Sequence, residues 1–455
     1  MRRGAGKRTG GPALGVVLAG LVVSGLSLLV VAPAPSYDPW AWLLWGREVA
    51  DGGLDTREGP AFKPLPVAVC ALLAPLGGAA PVVWVGLVRA AALLALWLAF
   101  RLGRRLAGGS VWAGLLAAMG VALTGRLLAY SAAGAEPALV ILLALGGAEA
   151  WRTGRVRLAV VCAAASGLLR VETWPFLALG GLWLWRARRA ERPLLIAAAV
   201  LVPAAWFLPE LAGSGDLLRS GSRARIPNPG QPALAGVPAA ASAREAVGLL
   251  LSPLWLGLAG LLVLARRLPE ARHALVPAAA GLGWVAIVAA MAQAGFSGEA
   301  RYAVPGVALI AVSGAAGLVL AARLSPRPLA AAVLGVTLLA LPVGSRAAEL
   351  DRVRSSQDYQ WRLASELGDV VRTAGGRVGV LACGRPYVGR YRGPLMAYRL
   401  RVVKATVEPD EPPRAPAVVF RSALTRRSAP TPEPPSGAST VARSRLWQVF
   451  RTCSH

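Results

Sequence analysis

The chain has 455 residues, of which 55% are hydrophobic and only 16% charged, and its mean hydropathy is +0.54. This composition excludes an ordinary soluble domain and is typical of a multi-span membrane protein. The formal net charge of +26 comes mostly from Lys and Arg in short clusters between apolar runs, as topology signals do, and no nucleic-acid-binding motif accompanies them, so nucleic acid is not expected as a partner.

The first apolar run, residues 12–31, is long enough to span a membrane and follows four basic residues. Positive charge on that side predicts a cytoplasmic N-terminus. Ala32-Pro33-Ala34 resembles a signal-peptide cleavage site, but the run is long for a signal peptide, so an uncleaved first span is preferred.

Residues 37–66 form an acidic stretch between two apolar segments. Its acids are Asp38, Glu48, Asp51, Asp55 and Glu58. Three tryptophans, at 40, 42 and 45, follow Asp38 at once and predict an aromatic belt at the membrane–water boundary. An acid held at that boundary is a candidate reactive group. The alternative is that Asp38 only caps the short helix after it.

The short apolar piece at 64–76 decides the topology. It has too few residues to span and predicts an interfacial or re-entrant helix. The next span, 81–102, then puts the basic cluster Arg101, Arg104 and Arg105 in the cytoplasm, as the positive-inside rule favours. If the piece crossed the membrane, every later loop would change side.

The remaining apolar runs predict spans that alternate in direction. They cover residues 111–124, 137–150, 156–169, 176–185, 194–208, 247–265, 274–294, 303–322 and 329–343. Residues 209–244 are expected to be a long outer loop. The expected fold is therefore an all-α polytopic membrane domain over 1–345, with about eleven spans and a juxtamembrane first outer loop at 35–80.

Residues 346–455 predict a small extracytoplasmic α/β domain. An amphipathic helix is expected over 357–373, short strands over 377–382, 417–420 and 446–450, and a flexible loop over 428–439. Cys383 and Cys453 are expected to pair, because that compartment is oxidising; two free thiols are the alternative.

Charged residues next to proline or an aromatic recur in the five predicted outer loops. The set includes Asp38, Lys63, Arg126, Glu136, Arg170, Glu172, Arg219, Arg223, Arg225, Glu299, Arg301 and Tyr302. One such residue usually anchors a helix at the interface. Five loops converging on one face predict a polar cavity at the bilayer surface. The simpler alternatives are an Arg170–Glu172 ion pair that fixes a turn, and a helix start at Glu136.

The order of these features resembles the GT-C superfamily of membrane glycosyltransferases. It is nearest to bacterial lipid A aminoarabinose transferases and protein O-mannosyltransferases. The resemblance rests on span one followed by Asp38, the segments GREVADGG and FKPLP, a short apolar helix, and a span opened by Arg89. Glu136 stands where the family has a later Asp, and Arg301-Tyr302 matches a late outer Arg-Tyr. The resemblance covers residues 12–325; KPLP in place of KPPL and Glu136 in place of Asp are departures.

The resemblance implies a sugar donor linked to polyprenyl phosphate and inverting transfer to a hydroxyl of an envelope glycan, lipid or protein. Asp38 is then the expected base. Lys63 and Arg301 are expected to hold the leaving phosphate. The other substrate-binding candidates are Glu136, Arg170, Glu172, Arg225 and Tyr302.

Two histidines, His273 in a basic loop and His455 at the end of the chain, leave acid–base chemistry to carboxylates, Lys or Tyr. The sequence assigns no cofactor and no metal ligand, and dependence on a divalent metal stays open. Two other functions stay open as well. A transporter or lipid flippase would carry charges near the middle of spans, where only Arg89 comes close. A non-catalytic envelope scaffold would explain the departures at 65–66 and 136.

Overall fold

The structure is a computed structural model that describes residues 11–324, 343–408 and 412–453. Helices predominate, and they are α1 Gly11–Val30, α2 Tyr37–Ala50, α3 Pro64–Leu73, α4 Ala80–Leu106, α5 Val111–Ala122, α6 Leu127–Ala132, α7 Pro137–Arg152, α8 Val156–Gly167, α9 Trp174–Ala187, α10 Arg192–Ser214, α11 Arg219–Ala224, α12 Pro238–Leu249, α13 Ser252–Leu264, α14 Pro269–Gln293, α15 Ala300–Leu324, α16 Val343–Thr373, α17 Gly376–Leu381 and α18 Gly393–Leu400. The strands are β1 Val418–Ala423, β2 Pro430–Thr431, β3 Ser439–Arg443 and β4 Gln448–Arg451.

Four helical stretches of the described residues are long and apolar enough to cross a membrane. They are Pro64–Leu106, Arg189–Ser214, Pro269–Gln293 and Ala300–Leu324. The prediction of a multi-span helical protein is confirmed, whereas the count of eleven spans is not. Helices such as α5 and α8 have 12 residues. Such a helix is about 18 Å long, shorter than the hydrocarbon core of about 30 Å. The predicted span at 329–343 falls almost wholly outside the described residues.

The structure differs from two predictions between residues 209 and 265. The expected span at 247–265 covers the end of α12 and all of α13, and these two helices are bent by 99° at the break between them, as in a broken span or a re-entrant loop. The expected loop at 209–244 contains the end of α10, all of α11 and the first half of α12. Pro209 does not end α10, which continues to Ser214. The expectation that α10 ends before Pro209 was therefore incorrect, because the helix continues through this proline.

Helix α15 is the central element of the bundle and is buried over most of its length. Glycines let α13 and α14 cross it closely. A methyl group on Gly257 of α13 would collide with the carbonyl oxygen of Gly314, and one on Gly281 of α14 with that of Gly306. Small residues at helix crossings allow such close approach in membrane proteins. This packing fixes the first turn of α15, which carries Arg301 and Tyr302.

The three tryptophans of α2 do not form a surface belt, so that prediction is wrong. Trp42 and Trp45 are fully buried and Trp40 nearly so. Trp42 packs edge-on against Trp84 of α4, and Trp45 packs against Phe62. The rings form a core between α2, α3 and α4. Closely spaced tryptophans in a sequence are compatible with either a membrane-surface belt or a buried core, so the sequence alone did not distinguish the two.

Helix α3 has ten residues and a length of about 15 Å, in line with the predicted short helix. Gly46 of α2 lies against the backbone of Cys70, so the two helices touch directly. A break at Gly77, with φ of 54°, separates α3 from α4. Lys63 precedes the first residue of α3, and α2 and α3 together position this lysine.

The C-terminal region contains an antiparallel sheet in the order β2-β1-β4-β3. The strands predicted at 417–420 and 446–450 are confirmed as β1 and β4. The strand predicted at 377–382 is wrong, because these residues form α17; Gly375, with φ of 95°, ends α16 and lets a new helix begin. The predicted loop at 428–439 supplies β2 and the first residue of β3. The predicted Cys383–Cys453 disulfide is confirmed, with the Cα atoms 5.8 Å apart.

The C-terminal region is tied to the first loop by polar contacts. The Lys404 ammonium pairs with Glu58, and Arg47 donates a hydrogen bond of 2.8 Å to the carbonyl oxygen of Tyr398. The Tyr398 hydroxyl donates to the carbonyl oxygen of Gly77 at 3.1 Å. These bonds hold the segment after Cys383 beside the acidic stretch at 37–66.

Candidate active site

A cavity of about 960 Å³ opens where the loops at one end of the bundle meet the C-terminal region. Its wall includes residues from the acidic first loop, from the segments before α6 and α9, from residues 217–232, and from the start of α15. Two residues of the C-terminal region, Arg390 and Tyr391, also line it. The predicted convergence of several loops on one polar cavity is therefore confirmed.

Asp38 and Arg301 meet in this cavity, although 263 residues separate them. Arg301 Nη1 donates to Asp38 Oδ2 at 2.9 Å. Asp38 lies in the first turn of α2, whose N-cap residue is Ser36, and the Asp38 carboxylate accepts from Arg301. Arg301 also forms an ion pair with Glu299. A buried carboxylate and a guanidinium are thus held together at the starts of two helices.

A second group of charges surrounds Glu136, which lies directly behind the cavity wall. Lys63 Nζ donates to Glu136 Oε1 at 2.5 Å, and Arg170 Nη1 reaches the same oxygen at 3.4 Å. Burial raises the pKa of the Glu136 carboxyl, but Lys63, Arg301 and Arg170 outweigh burial and hold that pKa below its ordinary value. The other oxygen, Oε2, is buried and has no hydrogen-bond partner among the described residues.

Arg170 links Glu136 to the remaining predicted residues. Its Nη2 lies 3.4 Å from Glu172 Oε1, so the simple alternative of a turn-fixing ion pair is also present. The Arg170 guanidinium lies 3.7 Å from the centre of the Tyr302 ring. The Tyr302 hydroxyl accepts from Arg301 at 3.2 Å. Tyr302 therefore bridges the two charged groups, and we call Asp38, Lys63, Glu136, Arg170, Glu172, Arg301 and Tyr302 the cavity floor.

Arg225, like Glu136, is a predicted site residue that does not line the cavity, and unlike Glu136 it has no place in the cavity floor. It is exposed, and its guanidinium lies 4.9 Å from the ring of Phe296, a residue that does line the cavity. Its neighbour Arg223 is the one that lines the cavity. In the short helix α11 adjacent residues point in different directions, and sequence alone did not identify which arginine would face inward.

A buried group that the sequence reasoning missed supports Lys63. Glu210 is 1% exposed and accepts hydrogen bonds from the hydroxyls of Thr56 and Ser220. Ser220 Oγ in turn accepts from the backbone N–H of Phe62 at 2.6 Å. The bond to Phe62 fixes the residue next to Lys63. Glu210 was assigned to a loop because α10 was predicted to end before it.

An apolar cavity of about 560 Å³ lies between α7, α8, α9 and α14. Trp284 lines it and donates through Nε1 to the carbonyl oxygen of Tyr302 at 2.8 Å. Phe176 stacks on Trp284, with ring centres 5.8 Å apart. The apolar cavity is therefore adjacent to the cavity floor.

In the part of the chain that the structure describes, no three His, Cys, Asp or Glu side chains come together as metal ligands would.

Two crystal structures of ArnT from Cupriavidus metallidurans share the fold of this chain. The structure bound to undecaprenyl phosphate aligns with 97% of this chain and 98% of its own, with a TM-score of 0.53 and 15% identity. The apo structure aligns with 98% of each chain, with a TM-score of 0.51 and 16% identity. No protein-family model and no curated protein matches the sequence. ArnT is a lipid A aminoarabinose transferase of GT-C fold, so the resemblance predicted from sequence is confirmed at the level of fold.

Proposed function

We propose that this chain, with the fold of ArnT, is a multi-pass membrane glycosyltransferase of the GT-C type. It would move a sugar from a polyprenyl-phosphate-linked donor to a hydroxyl of an envelope glycan, lipid or protein. The observation that carries the proposal is the cavity floor, where Asp38 at the start of α2 pairs with Arg301 and, beside them, Lys63 and Arg170 pair with Glu136. A related fold that holds undecaprenyl phosphate supports the choice of donor.

Asp38 is the proposed base of an inverting transfer. The acceptor oxygen attacks the anomeric carbon and its proton passes to the Asp38 carboxylate. The bond from the anomeric carbon to the phosphate oxygen breaks, its electron pair stays on that oxygen, and the polyprenyl phosphate leaves. In the structure Arg301 holds Asp38 at 2.9 Å. A donor phosphate arriving at Arg301 would compete with Asp38 for the guanidinium. Donor binding would thus leave the carboxylate free to accept the proton.

Lys63 and Arg301 are proposed to take the charge that develops on the leaving phosphate, with Arg170 behind them. Cations preorganised in a partly buried site stabilise such charge better than water does. Glu136 holds Lys63 and Arg170 before the substrate arrives. The adjacent apolar cavity of about 560 Å³ offers a place for the first isoprene units of the donor.

We propose that the cavity faces the extracytoplasmic side and that the N-terminus is cytoplasmic. The Cys383–Cys453 disulfide lies in the same C-terminal region that supplies Arg390 and Tyr391 to the cavity wall. Disulfides persist in oxidising compartments, which favours this side. We also propose a membrane domain over 1–345, with the juxtamembrane loop 35–80, and an extracytoplasmic domain over 346–455.

Arg89 bears on the transporter alternative. Its guanidinium donates to the carbonyl oxygens of Val31, Ala32 and Ala132, which ties the segment after α1 and the last residue of α6 to α4. It lines neither cavity. A charge used for helix packing does not mark a substrate path, and this favours the transferase over a flippase. At one departure from the family pattern, Glu136 in place of Asp, the carboxylate pairs with Lys63.

The proposal is tested by deleting the gene and analysing the envelope glycans, then restoring it with variants. Wild type should restore the missing sugar, whereas Asp38→Asn should not, at equal membrane levels. Asp51→Asn, which alters an exposed acid of the same loop, is the matched control and should restore it. Full restoration by Asp38→Asn would exclude Asp38 as the base. An unchanged glycan profile after deletion would argue for the scaffold hypothesis.

A further inference from the structure

Three arginines in the cavity wall differ from those of the cavity floor. Arg126, Arg223 and Arg390 all line the cavity, yet none forms an ion pair within the described part of the chain. Arg126 bonds to Tyr130, Arg223 donates to the carbonyl oxygen of Ile226, and Arg390 donates to Asn228 Oδ1 at 3.0 Å. These acceptors are all neutral. The cations of the floor, in contrast, are already matched with carboxylates.

Arg390 lies on a loop that is held in place by hydrogen bonds to the C-terminal sheet. Its neighbour Arg392 is 3% exposed and donates to the carbonyl oxygens of Val388, Thr431 and Ser422 at 2.8 to 3.2 Å. These bonds join the loop to the sheet through β1 and β2. An anchored loop presents its side chains in a defined direction, as a binding site requires. We call Arg126, Arg223, Arg390 and Tyr391 the cavity rim.

Two residues of the cavity rim have left-handed backbones that side chains rarely adopt. Arg126 has φ of 64° and Tyr391 has φ of 65°; Arg401 is the third such residue among those described. A left-handed conformation in a residue other than Gly is uncommon and costs free energy. It persists where the surroundings impose it, and such residues concentrate at ligand sites. Arg126 and Tyr391 are far apart in the sequence, yet both line the same cavity.

The rim also has an aromatic face next to the proposed base. The Tyr391 ring packs edge-on against Tyr37, with centres 6.0 Å apart, and the Arg390 guanidinium lies 5.1 Å from the Tyr391 ring. Tyr37 immediately precedes Asp38. A molecule that rests on these rings and binds the rim arginines is therefore close to the carboxylate. Tyr391 is 39% exposed, so its ring is open to such a molecule.

We propose that the cavity rim binds an anionic group of the acceptor, such as a phosphate or a carboxylate, while the tyrosines contact its sugar. The inference rests on the proposed function. The donor phosphate belongs at the floor, where Lys63 and Arg301 flank the base. An acceptor group that enters the cavity from its exposed side meets the rim first, where guanidinium groups without a carboxylate partner in the described residues attract anions. The C-terminal region thereby selects the acceptor.

The test uses the purified full-length chain in phosphatidylcholine nanodiscs, with inorganic phosphate as the probe at constant ionic strength. Binding is followed by isothermal titration. Arg390→Ala should weaken phosphate binding by about tenfold to a hundredfold, as loss of one charge-assisted hydrogen bond does. The double variant Arg126→Ala/Arg390→Ala should abolish it. Arg427→Ala removes an exposed arginine outside the cavity and should bind as wild type does.

Lys63→Ala separates the rim from the floor. It should keep the phosphate affinity of wild type but lose binding of undecaprenyl phosphate, whereas Arg390→Ala should weaken phosphate binding and keep binding of undecaprenyl phosphate. Absence of phosphate binding in wild type, or full binding in Arg390→Ala, would overturn the rim proposal. If Lys63→Ala lost phosphate binding and Arg390→Ala did not, the phosphate would bind at the floor, and the rim proposal would also be overturned. Unchanged undecaprenyl phosphate binding in Lys63→Ala would instead count against the proposed function.

Tyr391 provides a second, independent pair of variants. Tyr391→Gly suits the left-handed backbone, so the fold should be kept, but the ring beside Arg390 is lost. We expect phosphate binding to weaken about threefold in Tyr391→Gly and to stay unchanged in Tyr391→Phe, which keeps the ring. Equal binding by both variants would remove the ring from the proposed subsite.

Discussion

The cavity floor and the cavity rim both carry arginine side chains, but these are paired with carboxylates in the floor and, among the residues that the structure describes, unpaired with carboxylates in the rim. Floor residues such as Glu136 and Arg170 are buried, and every floor cation has a carboxylate partner. Rim residues such as Arg126 and Arg390 are exposed and form no such pairs in the described residues. A buried charge must be compensated, whereas an exposed one is solvated by water. The floor is therefore organised before substrate binds, and the rim keeps charge available for an incoming anion.

The largest effect is expected from breaking the floor. Glu136→Gln removes the carboxylate that Lys63 and Arg170 share. Because two buried cations then lose a partner, we expect the free energy of unfolding to fall by about 3 to 5 kcal/mol. Thermal unfolding in detergent measures it. Glu433→Gln, which removes an exposed carboxylate paired with Arg421, is the control and should change little. Equal melting of Glu136→Gln and wild type would show that the floor is not held by this network.

A smaller effect is expected from loosening the rim's support. Reduction of Cys383–Cys453, or the double change to Ser, opens a loop of 70 residues. Loss of such a disulfide typically costs about 2 to 4 kcal/mol. We expect the C-terminal region to become more susceptible to protease, and phosphate affinity at the rim to fall, while binding of undecaprenyl phosphate persists. Limited proteolysis and titration test this. Equal loss of both binding activities would mean that the two regions are not separable.

The smallest effect comes from a carboxyl that lacks the cations of the floor. Burial raises the pKa of Glu48 to about 7, although a hydrogen bond from the backbone N–H of Asp55 opposes this. Because the folded state binds this proton more tightly than the unfolded state does, its contribution to stability is present below about pH 4.5. That contribution is lost as the pH rises through about 7.

Melting temperature measured from pH 5 to pH 8 therefore should fall less steeply for Glu48→Gln than for wild type. Asp51→Asn, in the same loop, should leave the slope unchanged. A slope that is the same in Glu48→Gln as in wild type would contradict the assignment. The comparison of Glu48 with Glu136 isolates what neighbouring cations do, since both carboxyls are buried but their pKa values move in opposite directions.

Most of the floor could be predicted from sequence because each member stands at the end of an apolar run. Asp38, Lys63 and Arg301 were recognised by their order along the chain and by the residues beside them. The local Arg170–Glu172 pair was among the alternatives drawn from the sequence, but the long-range pairs could not be predicted, since they join residues as far apart as 263 positions. The fold class followed from composition. The boundaries of the spans could not be predicted. Helices of 12 residues and bent helix pairs have apolar sequences much like those of helices that are long enough to span.

Arg126 and Arg223 of the rim were among the outer-loop charges singled out from the sequence, but Arg390 and Tyr391 could not be predicted, and the reason is physical. Arg390 and Tyr391 lie in a tail segment without periodicity or motif, and they reach the cavity only because distant contacts such as Lys404–Glu58 hold the tail in place. The six residues of α17 illustrate a related limit. A short apolar run fits a strand or a helix equally well, and here a left-handed glycine before it decided the outcome.

The glycine contacts of α15 restrict how the protein can work. With backbones touching at two crossings, α15 has no room to slide or rotate against α13 and α14 without collisions. Separation of Arg301 from Asp38 must then come from rotation about side-chain bonds, within a scaffold that stays in place. Such rotations take picoseconds to nanoseconds on exposed side chains and longer in packed ones. We therefore expect the release of the carboxylate to be fast compared with the arrival and departure of a lipid through the bilayer.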